Sequence, residues 1–320
     1  MGVILLLLCI FLGFLPCGVQ AASTADAVAQ IDPSQSCSLT LSYGYDGTAF
    51  ADVAVALYQI AEVSADFQYR LTSPFASTGL HLNGVTSNSE WNVMRETFES
   101  HILANTLPAD RTAATDTHGA VFFDGLQPGL YLAIAADVTR ENGHYCFTPA
   151  LVALPGLGAD GLWQYQVAAT AKSEMLPPVT PDEEAEFKVL KLWQEETEHA
   201  ARPQSIQVEI FRDGTLYETV TLSRENNWTY TWRTKSDGAS WHVAESNVPE
   251  GYTATVESRD NTFVVTNRQI SQETPPAEDP NPTDPPRTGD TANILLYAVL
   301  MFFSGSLLIL LAFAGKRKRQ

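Results

Sequence analysis

Apolar and polar residues alternate in a series of short segments in the C-terminal half of the chain, and this pattern constrains the fold more than any other feature. A period of two places successive side chains on opposite faces of a β-strand. Turn signals such as RDG and SDG separate the segments. About seven short strands of this kind, without helical periodicity, predict an Ig-like β-sandwich over residues 187–269. The apolar positions of these segments are Ile206, Val208, Ile210, Val220, Leu222, Trp228, Tyr230, Trp232, Trp241, Val243, Phe263 and Val265.

Three polar residues fall in the apolar register of the predicted strands. Lys191, Glu245 and Asn267 each follow a valine by two positions and therefore point to the same face as that valine. A lone ammonium group buried among apolar neighbours costs several kcal/mol, so Lys191 requires a compensating partner. The amine, the carboxylic acid and the carboxamide are therefore predicted to meet inside the sandwich.

These three groups have complementary chemistry in a dry interior. Burial lowers the pKa of Lys191 and raises the pKa of Glu245, because it disfavours both charged forms. A neutral amine is a nucleophile, and a protonated Glu245 can donate to the Asn267 carbonyl and relay protons. The predicted product is an isopeptide bond between Lys191 and Asn267, formed with loss of ammonia. The alternative is a buried lysine–glutamate ion pair that is hydrogen-bonded to Asn267 without a covalent bond.

The same region resembles a known repeat. The segments KVLKLW, NNWTYTW, WHVAESNVPEGYT and FVVTN are similar to the collagen-adhesin B-type (Cna B, prealbumin-like) repeat of Gram-positive pilins and adhesins. The resemblance covers residues 187–268, and AESNVPEGY matches the family's E-box. It implies that Lys191 and Asn267 form the isopeptide bond and that Glu245 catalyses its formation.

A first domain is predicted over residues 37–172. It contains alternating segments such as SLTLSY and AVALYQIAEV. After these segments and before the later strands of the domain, residues 87–105 have helical periodicity, and Ser87 and Glu90 have the spacing of a capping box. The fold class is therefore all-β, with two tandem sandwiches of which the first carries a helical insertion. The residues predicted on the buried face of this helix are Trp91, Met94, Phe98 and Ile102.

The first domain resembles the N-terminal domains of pilins. GAVFFDGLQPGLYLA follows their strand-pair pattern, and WQYQVAATAK is similar to their pilin motif, W-x-x-x-V-x-V-Y-P-K. Trp163, Val167 and Lys172 match that motif, whereas residues 169–171 depart from it. The resemblance implies that Lys172 accepts the acyl chain of the next subunit. The alternative is an ordinary solvated lysine at a domain end.

Two cysteines remain outside the N-terminal apolar segment. Cys37 precedes the first strand, and Cys146 lies in a late strand of the first domain. An even pair in a secreted chain predicts a disulfide, with two buried free thiols as the alternative. Six histidines are scattered along the chain, without an HExxH motif or a close set of cysteine and histidine. We therefore expect no metal site and no cofactor.

The two ends of the chain predict export and anchoring. Residues 1–22 have the apolar core and small C-terminal residues of a signal peptide. Residues 294–315 are long and apolar enough for a transmembrane helix, and the basic residues 316–320 predict a cytoplasmic tail. Two Pro-rich segments, 173–186 and 270–287, predict a linker and an extended stalk.

The segment PPRTG at residues 285–289 resembles the LPxTG sorting motif of Gram-positive surface proteins. Pro286, Thr288 and Gly289 match the motif, Arg287 occupies its variable position, and Pro285 replaces the usual leucine. The resemblance implies that a sortase cleaves between Thr288 and Gly289 and joins Thr288 to peptidoglycan. The alternative is an ordinary membrane protein with a single span.

Composition excludes several classes of function. The net charge of −18 disfavours binding to nucleic acid or anionic lipid. The sequence contains no P-loop and no G-x-S-x-G motif, and we expect no enzymatic activity with turnover. The expected function is that of a structural pilin subunit, minor, basal or short-shaft, on the cell surface, whose partners are a sortase, peptidoglycan and other pilin subunits. The alternative is a wall-anchored adhesin that does not polymerise and binds host or matrix ligands.

Overall fold

The structure is a computed structural model that describes residues 30–141, 143–176, 183–195 and 202–270. The predicted signal peptide, sorting motif, transmembrane helix and basic tail lie outside these residues, as does the stalk beyond Ile270. The described residues belong to one compact unit. Within them, no helix combines the length and the apolar character needed to cross a membrane.

The N-terminal half contains many short strands and two helices. Its strands are β1 (Cys37–Ser42), β2 (Gly44–Tyr45), β3 (Thr48–Ala49), β4 (Ala54–Val63), β5 (Tyr69–Leu71), β6 (Arg111–Ala114), β7 (Ala120–Leu126), β8 (Gly129–Ala135), β9 (Val138–Arg140), β10 (Gly143–Phe147), β11 (Ala150–Leu154), β12 (Gly156–Leu157), β13 (Trp163–Gln164), β14 (Gln166–Thr170) and β15 (Ser173–Leu176). Its helices are α1 (Ser73–Ala76) and α2 (Asn88–Asn105).

Seven strands form the C-terminal half. They are β16 (Glu184–Gln194), β17 (Ser205–Arg212), β18 (Thr215–Ser223), β19 (Thr229–Lys235), β20 (Trp241–Glu245), β21 (Tyr252–Arg259) and β22 (Thr262–Gln269). They make two sheets, with strand orders β19-β16-β22-β21 and β18-β17-β20. Strands β16 and β22 are parallel neighbours. The apolar faces of both sheets enclose one core, so this half is the predicted sandwich.

The N-terminal half is also mostly β-structure. Strands β11-β8-β4-β5 form a sheet, to which β6 adds by pairing with β4, and β14-β1-β7 and β15-β10-β9 form two further sheets. One face of β4 and β8 contributes to the core shared with β1, β7 and β10. The other face packs against α1 and α2 through residues such as Leu132 and Phe98. The helical insertion therefore covers the outside of the central sheet.

The start of α2 agrees with its predicted capping box. Ser87 Oγ accepts a hydrogen bond from Glu90 N at 3.2 Å, and the Glu90 carboxylate accepts one from Ser87 N at 3.1 Å. These contacts satisfy two backbone donors that lack partners within the helix. Phe98 and Ile102 are buried against the central sheet, as predicted.

The bounds predicted for the linker, residues 173–186, are wrong, because the residues at both of its ends belong to strands. Ser173–Leu176 form β15, which pairs with β10, and Glu184–Glu186 already belong to β16. Met175 packs against the core of the N-terminal half, which gives this segment a reason to stay in the sheet. Residues 177–182 lie outside the described part of the chain.

Helix α2 also contacts the C-terminal half directly. Val256 N in β21 donates a hydrogen bond to Thr97 Oγ1 at 3.0 Å, and Ser258 N donates one to Glu96 Oε2 at 2.5 Å. Thr97 is 6% exposed, so its hydroxyl is shielded from water in this contact. The two halves therefore share a hydrogen-bonded contact in addition to their chain connection.

Candidate functional site

Three strands bring Lys191, Glu245 and Asn267 together inside the C-terminal sandwich. Lys191 lies on β16 and Asn267 on β22, in neighbouring strands of one sheet. Glu245 is the last residue of β20, in the facing sheet. Because apolar and polar residues alternate in these strands, the same register that buries their valines turns each of the three polar groups inward.

The three side chains are almost completely shielded from solvent. Lys191 is 3% exposed and Asn267 is 0% exposed. The Glu245 side chain is 1% exposed. The inward orientation predicted from the alternation is therefore present in the structure.

The polar atoms of the site are within contact distance of one another. Lys191 Nζ lies 3.7 Å from Glu245 Oε2. Asn267 Nδ2 donates a hydrogen bond to Glu245 Oε1 at 3.0 Å. The amine also donates to the backbone carbonyls of Leu192 at 3.0 Å and Val265 at 3.4 Å. Glu245 thus lies between the amine and the carboxamide.

Two acceptors of the site remain unsatisfied. Among the described residues, Glu245 Oε2 and Asn267 Oδ1 are buried without a hydrogen-bond partner. An unsatisfied buried acceptor costs about 1–3 kcal/mol. The unreacted site therefore holds two acceptors at an energetic cost.

Burial shifts the ionisation of the pair towards its neutral forms. Loss of hydration lowers the pKa of Lys191 to about 7, although the nearby Glu245 opposes this shift. Loss of hydration also raises the pKa of Glu245, against the attraction of Lys191. Burial therefore favours the free amine that a nucleophilic attack requires.

One contact differs from the sequence-based prediction. Glu245 was expected to donate to the Asn267 carbonyl, whereas in the structure its carboxyl group accepts from the amide nitrogen Nδ2. Nδ2 is the atom that would leave as ammonia. Glu245 is therefore placed to deliver a proton to the leaving group.

Aromatic and charged side chains close the site on one side. The Trp193 ring lies 4.3 Å from the lysine ammonium and packs edge-on against Trp228 and Tyr252. Tyr252 Oη donates to Glu195 at 2.7 Å, and Glu195 pairs with Arg202 at 2.7 Å. This cover keeps water away from the amine. The sequence analysis did not single out Glu195 or Arg202. Glu195 directly follows β16 and continues the register of Lys191 and Trp193, so the alternation was an available signal for it.

The stability of a variant that cannot form the bond should depend on pH through Lys191. In Asn267→Ala the amine remains buried, and loss of hydration should hold its folded-state pKa below the ordinary value of 10.5, as it does in the parent site. Between these values the unfolded chain binds more protons, so the free energy of unfolding rises with pH, by at most about 1.4 kcal/mol per unit. The raised pKa of Glu245 gives the opposite slope at lower pH.

Urea unfolding at neutral and alkaline pH measures this dependence. The double variant Asn267→Ala/Lys191→Met lacks the amine and supplies the baseline for all other titrating groups. Equal slopes in the two proteins between neutral pH and pH 10 would contradict the proposed state of Lys191.

The other predicted linkage residue, Lys172, lies at the surface of the N-terminal half. Its side chain is exposed between β14 and β15. Its backbone carbonyl accepts a hydrogen bond from Thr148 N at 2.9 Å. The backbone is therefore held in place while the amine is open to solvent. Trp163, which matches the same motif, stacks against Phe67 with a centroid distance of 5.3 Å.

The predicted disulfide between Cys37 and Cys146 is absent, and both cysteines are free thiols. Cys37 is 1% exposed and lies in the core. Tyr145 and Phe147 reach the same core, so Cys146, between them on β10, points to the opposite face. The Cys37 sulfur therefore lies in the core, whereas the Cys146 sulfur lies on the opposite face of the sheet.

The expectation that no cysteine and histidine lie close together is also wrong. Asp137, His144 and Cys146 form one cluster, in which the possible ligand atoms all lie within 4.8 Å of one another. His144 and Cys146 are only two residues apart in the sequence, and this spacing was the available signal. The predicted sorting residues Thr288 and Gly289 lie outside the described part of the chain.

The region that contains the buried lysine is similar to a known protein domain. Residues 187–268 match the profile of the Cna protein B-type domain. A collagen adhesin of Staphylococcus aureus is 31% identical over 99 residues, which is 28% of this chain and 8% of the adhesin. The chain thus aligns with a small part of this curated relative.

Several solved structures have low overall similarity to the chain. A single B repeat unit of the Staphylococcus aureus collagen-binding surface protein is 17% identical, with coverage of 74% of this chain and 99% of that one and a TM-score of 0.26. The full-length major pilin SpaD of Corynebacterium diphtheriae is 16% identical, with coverage of 75% and 66% and a TM-score of 0.28. The minor pilin GBS52 of Streptococcus agalactiae is 15% identical, with coverage of 75% and 99% and a TM-score of 0.23.

Proposed function

We propose that this chain is a structural pilin subunit of a Gram-positive cell surface, and that an isopeptide bond between Lys191 and Asn267 locks its C-terminal domain. The observation that carries this proposal is a fully buried lysine, glutamate and asparagine in contact. The match of residues 187–268 to the Cna protein B-type domain supports it.

The proposed reaction is an autocatalytic amide exchange. The neutral Lys191 Nζ attacks Asn267 Cγ. Glu245, which burial keeps protonated, donates its carboxyl proton to Nδ2 and takes up the proton that the amine loses, so it ends in its starting form. The Cγ–Nδ2 bond breaks, and one ammonia leaves. The new Nζ–Cγ amide is neutral, so the product contains no buried ammonium group. Each molecule reacts once, so formation of the bond involves no catalytic turnover.

The position of the bond suits a load-bearing role. Lys191 and Asn267 lie on the first and the last strand of the domain, and these strands are parallel neighbours. The chain enters the domain through β16 and leaves through β22. A bond between these strands carries a pulling force past residues 192–266 without unfolding them.

The chain is also proposed to be attached covalently to the cell wall. Sortase would cleave the PPRTG segment after Thr288 and transfer its acyl group to peptidoglycan or to an amine of another subunit. Lys172 is the proposed acceptor on this chain, because its amine is exposed while its backbone is held between two strands. Other pilin subunits are then the covalent partners.

A Lys172→Ala strain tests polymerisation. Immunoblots of cell-wall extracts from the parent strain should show a ladder of high-mass species, and this ladder should disappear in Lys172→Ala because the acceptor amine is lost. Lys188→Ala is the matched control, since Lys188 is also exposed but lies in the C-terminal domain.

A single band in the parent strain would contradict the pilin proposal. It would favour the second candidate function, a non-polymerising adhesin anchored to the wall. The departure of residues 169–171 from the pilin motif is the observation behind this second candidate. Pull-down with immobilised matrix proteins would then identify a host ligand.

A further inference from the structure

The face of the β9–β10 hairpin that points away from the core carries an unusual set of side chains. His144 pairs with Thr139 across the hairpin, and Asp137 directly precedes β9. His144 and Cys146 are two residues apart on β10 and therefore share one face of the sheet. Glu174 lies opposite Cys146 on the other neighbouring strand, β15. Three adjacent backbone segments thus present an imidazole, a thiol and two carboxylates to the same side.

The distances in this cluster agree with joint coordination of one ion. His144 Nε2 lies 3.2 Å from Asp137 Oδ2. Two ligand atoms bound tetrahedrally to zinc at about 2.0–2.2 Å are separated by roughly 3.3 Å, so little movement is required. The Cys146 sulfur completes a set whose ligand atoms all lie within 4.8 Å of one another.

The histidine is already oriented for binding a metal. His144 Nδ1 lies 2.9 Å from Thr139 Oγ1. If Nδ1–H donates to this hydroxyl, the lone pair of Nε2 is directed towards Asp137 and is available to a cation. Hydrogen bonds from the second ring nitrogen orient metal-bound histidines in this way.

We propose that Asp137, His144 and Cys146 bind a zinc ion, with Glu174 or a water molecule at the fourth position. A mixed set of thiolate, imidazole and carboxylate is characteristic of Zn²⁺, whereas Ca²⁺ and Mg²⁺ prefer oxygen ligands alone. The site lies in the N-terminal half and does not depend on the isopeptide bond.

The charges around Cys146 suit a cation. Asp137 and Glu174 place two carboxylates beside the Cys146 thiol. A divalent cation would neutralise these carboxylates and deprotonate the coordinating thiol.

The surroundings give an ion access to the cluster. Asp137, His144 and Cys146 line a cavity of about 630 Å³, whose wall also includes Glu99 on α2 and His242 on β20. His242 Nε2 and Glu99 Oε1 are 3.7 Å apart in that wall. The cluster is therefore partly shielded without being sealed, as a site that must load its metal after folding requires.

Substitution with Co²⁺ tests the site, because thiolate coordination gives a charge-transfer absorption band that carboxylate coordination does not. The full chain, treated with a chelator and kept reduced, should develop this band on addition of Co²⁺ and lose it on addition of Zn²⁺. Cys146→Ser should abolish the band and lower the Zn²⁺ affinity measured by calorimetry at least about tenfold. His144→Gln should lower the Zn²⁺ affinity by a similar factor.

His118→Gln is the matched control. His118 is an exposed histidine 3.7 Å from Asp116 and is not part of the cluster with Cys146, and its replacement should leave both the band and the affinity unchanged. Far-UV circular dichroism checks that each variant is folded. Absence of the band in the parent protein, or equal Zn²⁺ affinity in the parent and Cys146→Ser, would overturn the proposal.

Discussion

The purified, folded chain is expected to have a mass about 17 Da below the value calculated from its residues, since bond formation between Lys191 and Asn267 releases one ammonia. Glu245→Ala should restore the calculated mass. The reason is geometric, because the Glu245 carboxyl group lies between Lys191 Nζ, at 3.7 Å, and Asn267 Nδ2, at 3.0 Å. Without it, no described group is placed to move a proton from the amine to the leaving nitrogen.

Intact-protein mass spectrometry gives the result directly. Glu250→Ala is the matched control, because Glu250 lies five residues away in the same AESNVPEGY segment but is exposed to solvent. This control should retain the mass deficit. A tryptic digest of the parent protein should contain one branched peptide with both Lys191 and Asn267. Recovery of these two residues in separate linear peptides would refute the bond.

Asn267→Ala is expected to lower the free energy of unfolding of the C-terminal domain by on the order of 4 kcal/mol. A covalent link that closes a loop of roughly 75 residues restricts the unfolded chain, and the chain-entropy treatment developed for disulfides gives this magnitude. The variant also leaves Lys191 buried beside Glu245 without the amide, which adds to the destabilisation. Urea unfolding followed by tryptophan fluorescence measures the loss, and Asn247→Ala, at an exposed position, is the control.

A triple variant separates the two contributions. Lys191→Met, Glu245→Leu and Asn267→Leu together remove every buried polar group of the site and also remove the link. Apolar replacement of a buried ion pair is often neutral or stabilising, so this protein should be more stable than Asn267→Ala. It should still unfold at a lower urea concentration than the linked parent. Equal midpoints for the parent and Asn267→Ala would show that no link constrains the unfolded chain.

Patterns among neighbouring residues correctly predicted those features of the structure that depend only on neighbouring residues. The period of two in the C-terminal half identified its strands and the inward direction of Lys191, Glu245 and Asn267. The spacing of Ser87 and Glu90 identified the start of α2. In each case a few neighbouring residues are sufficient to define which face is buried or which donor is satisfied.

Predictions that depended on distant contacts were less successful. Ser173–Leu176 looked like part of a linker because prolines and acids follow it, and only pairing with β10 makes it a strand. The disulfide prediction considered the number of cysteines and not their strand register, which places Cys37 in the core and Cys146 outside it. The cluster around His144 was missed because the two-residue spacing of His144 and Cys146 was not recognised as a signal, and because the approach of Asp137 depends on the register of the β9–β10 hairpin, which the sequence does not specify.

The contact between α2 and β21 affects whether copies of the protein associate at high concentration. Strand β21 is at the edge of its sheet, and the outward backbone amides of an edge strand can pair with a strand from another molecule. Two of these amides, on Val256 and Ser258, are instead occupied by Thr97 and Glu96. The helix inserted in the first half therefore protects the second half against edge-to-edge aggregation.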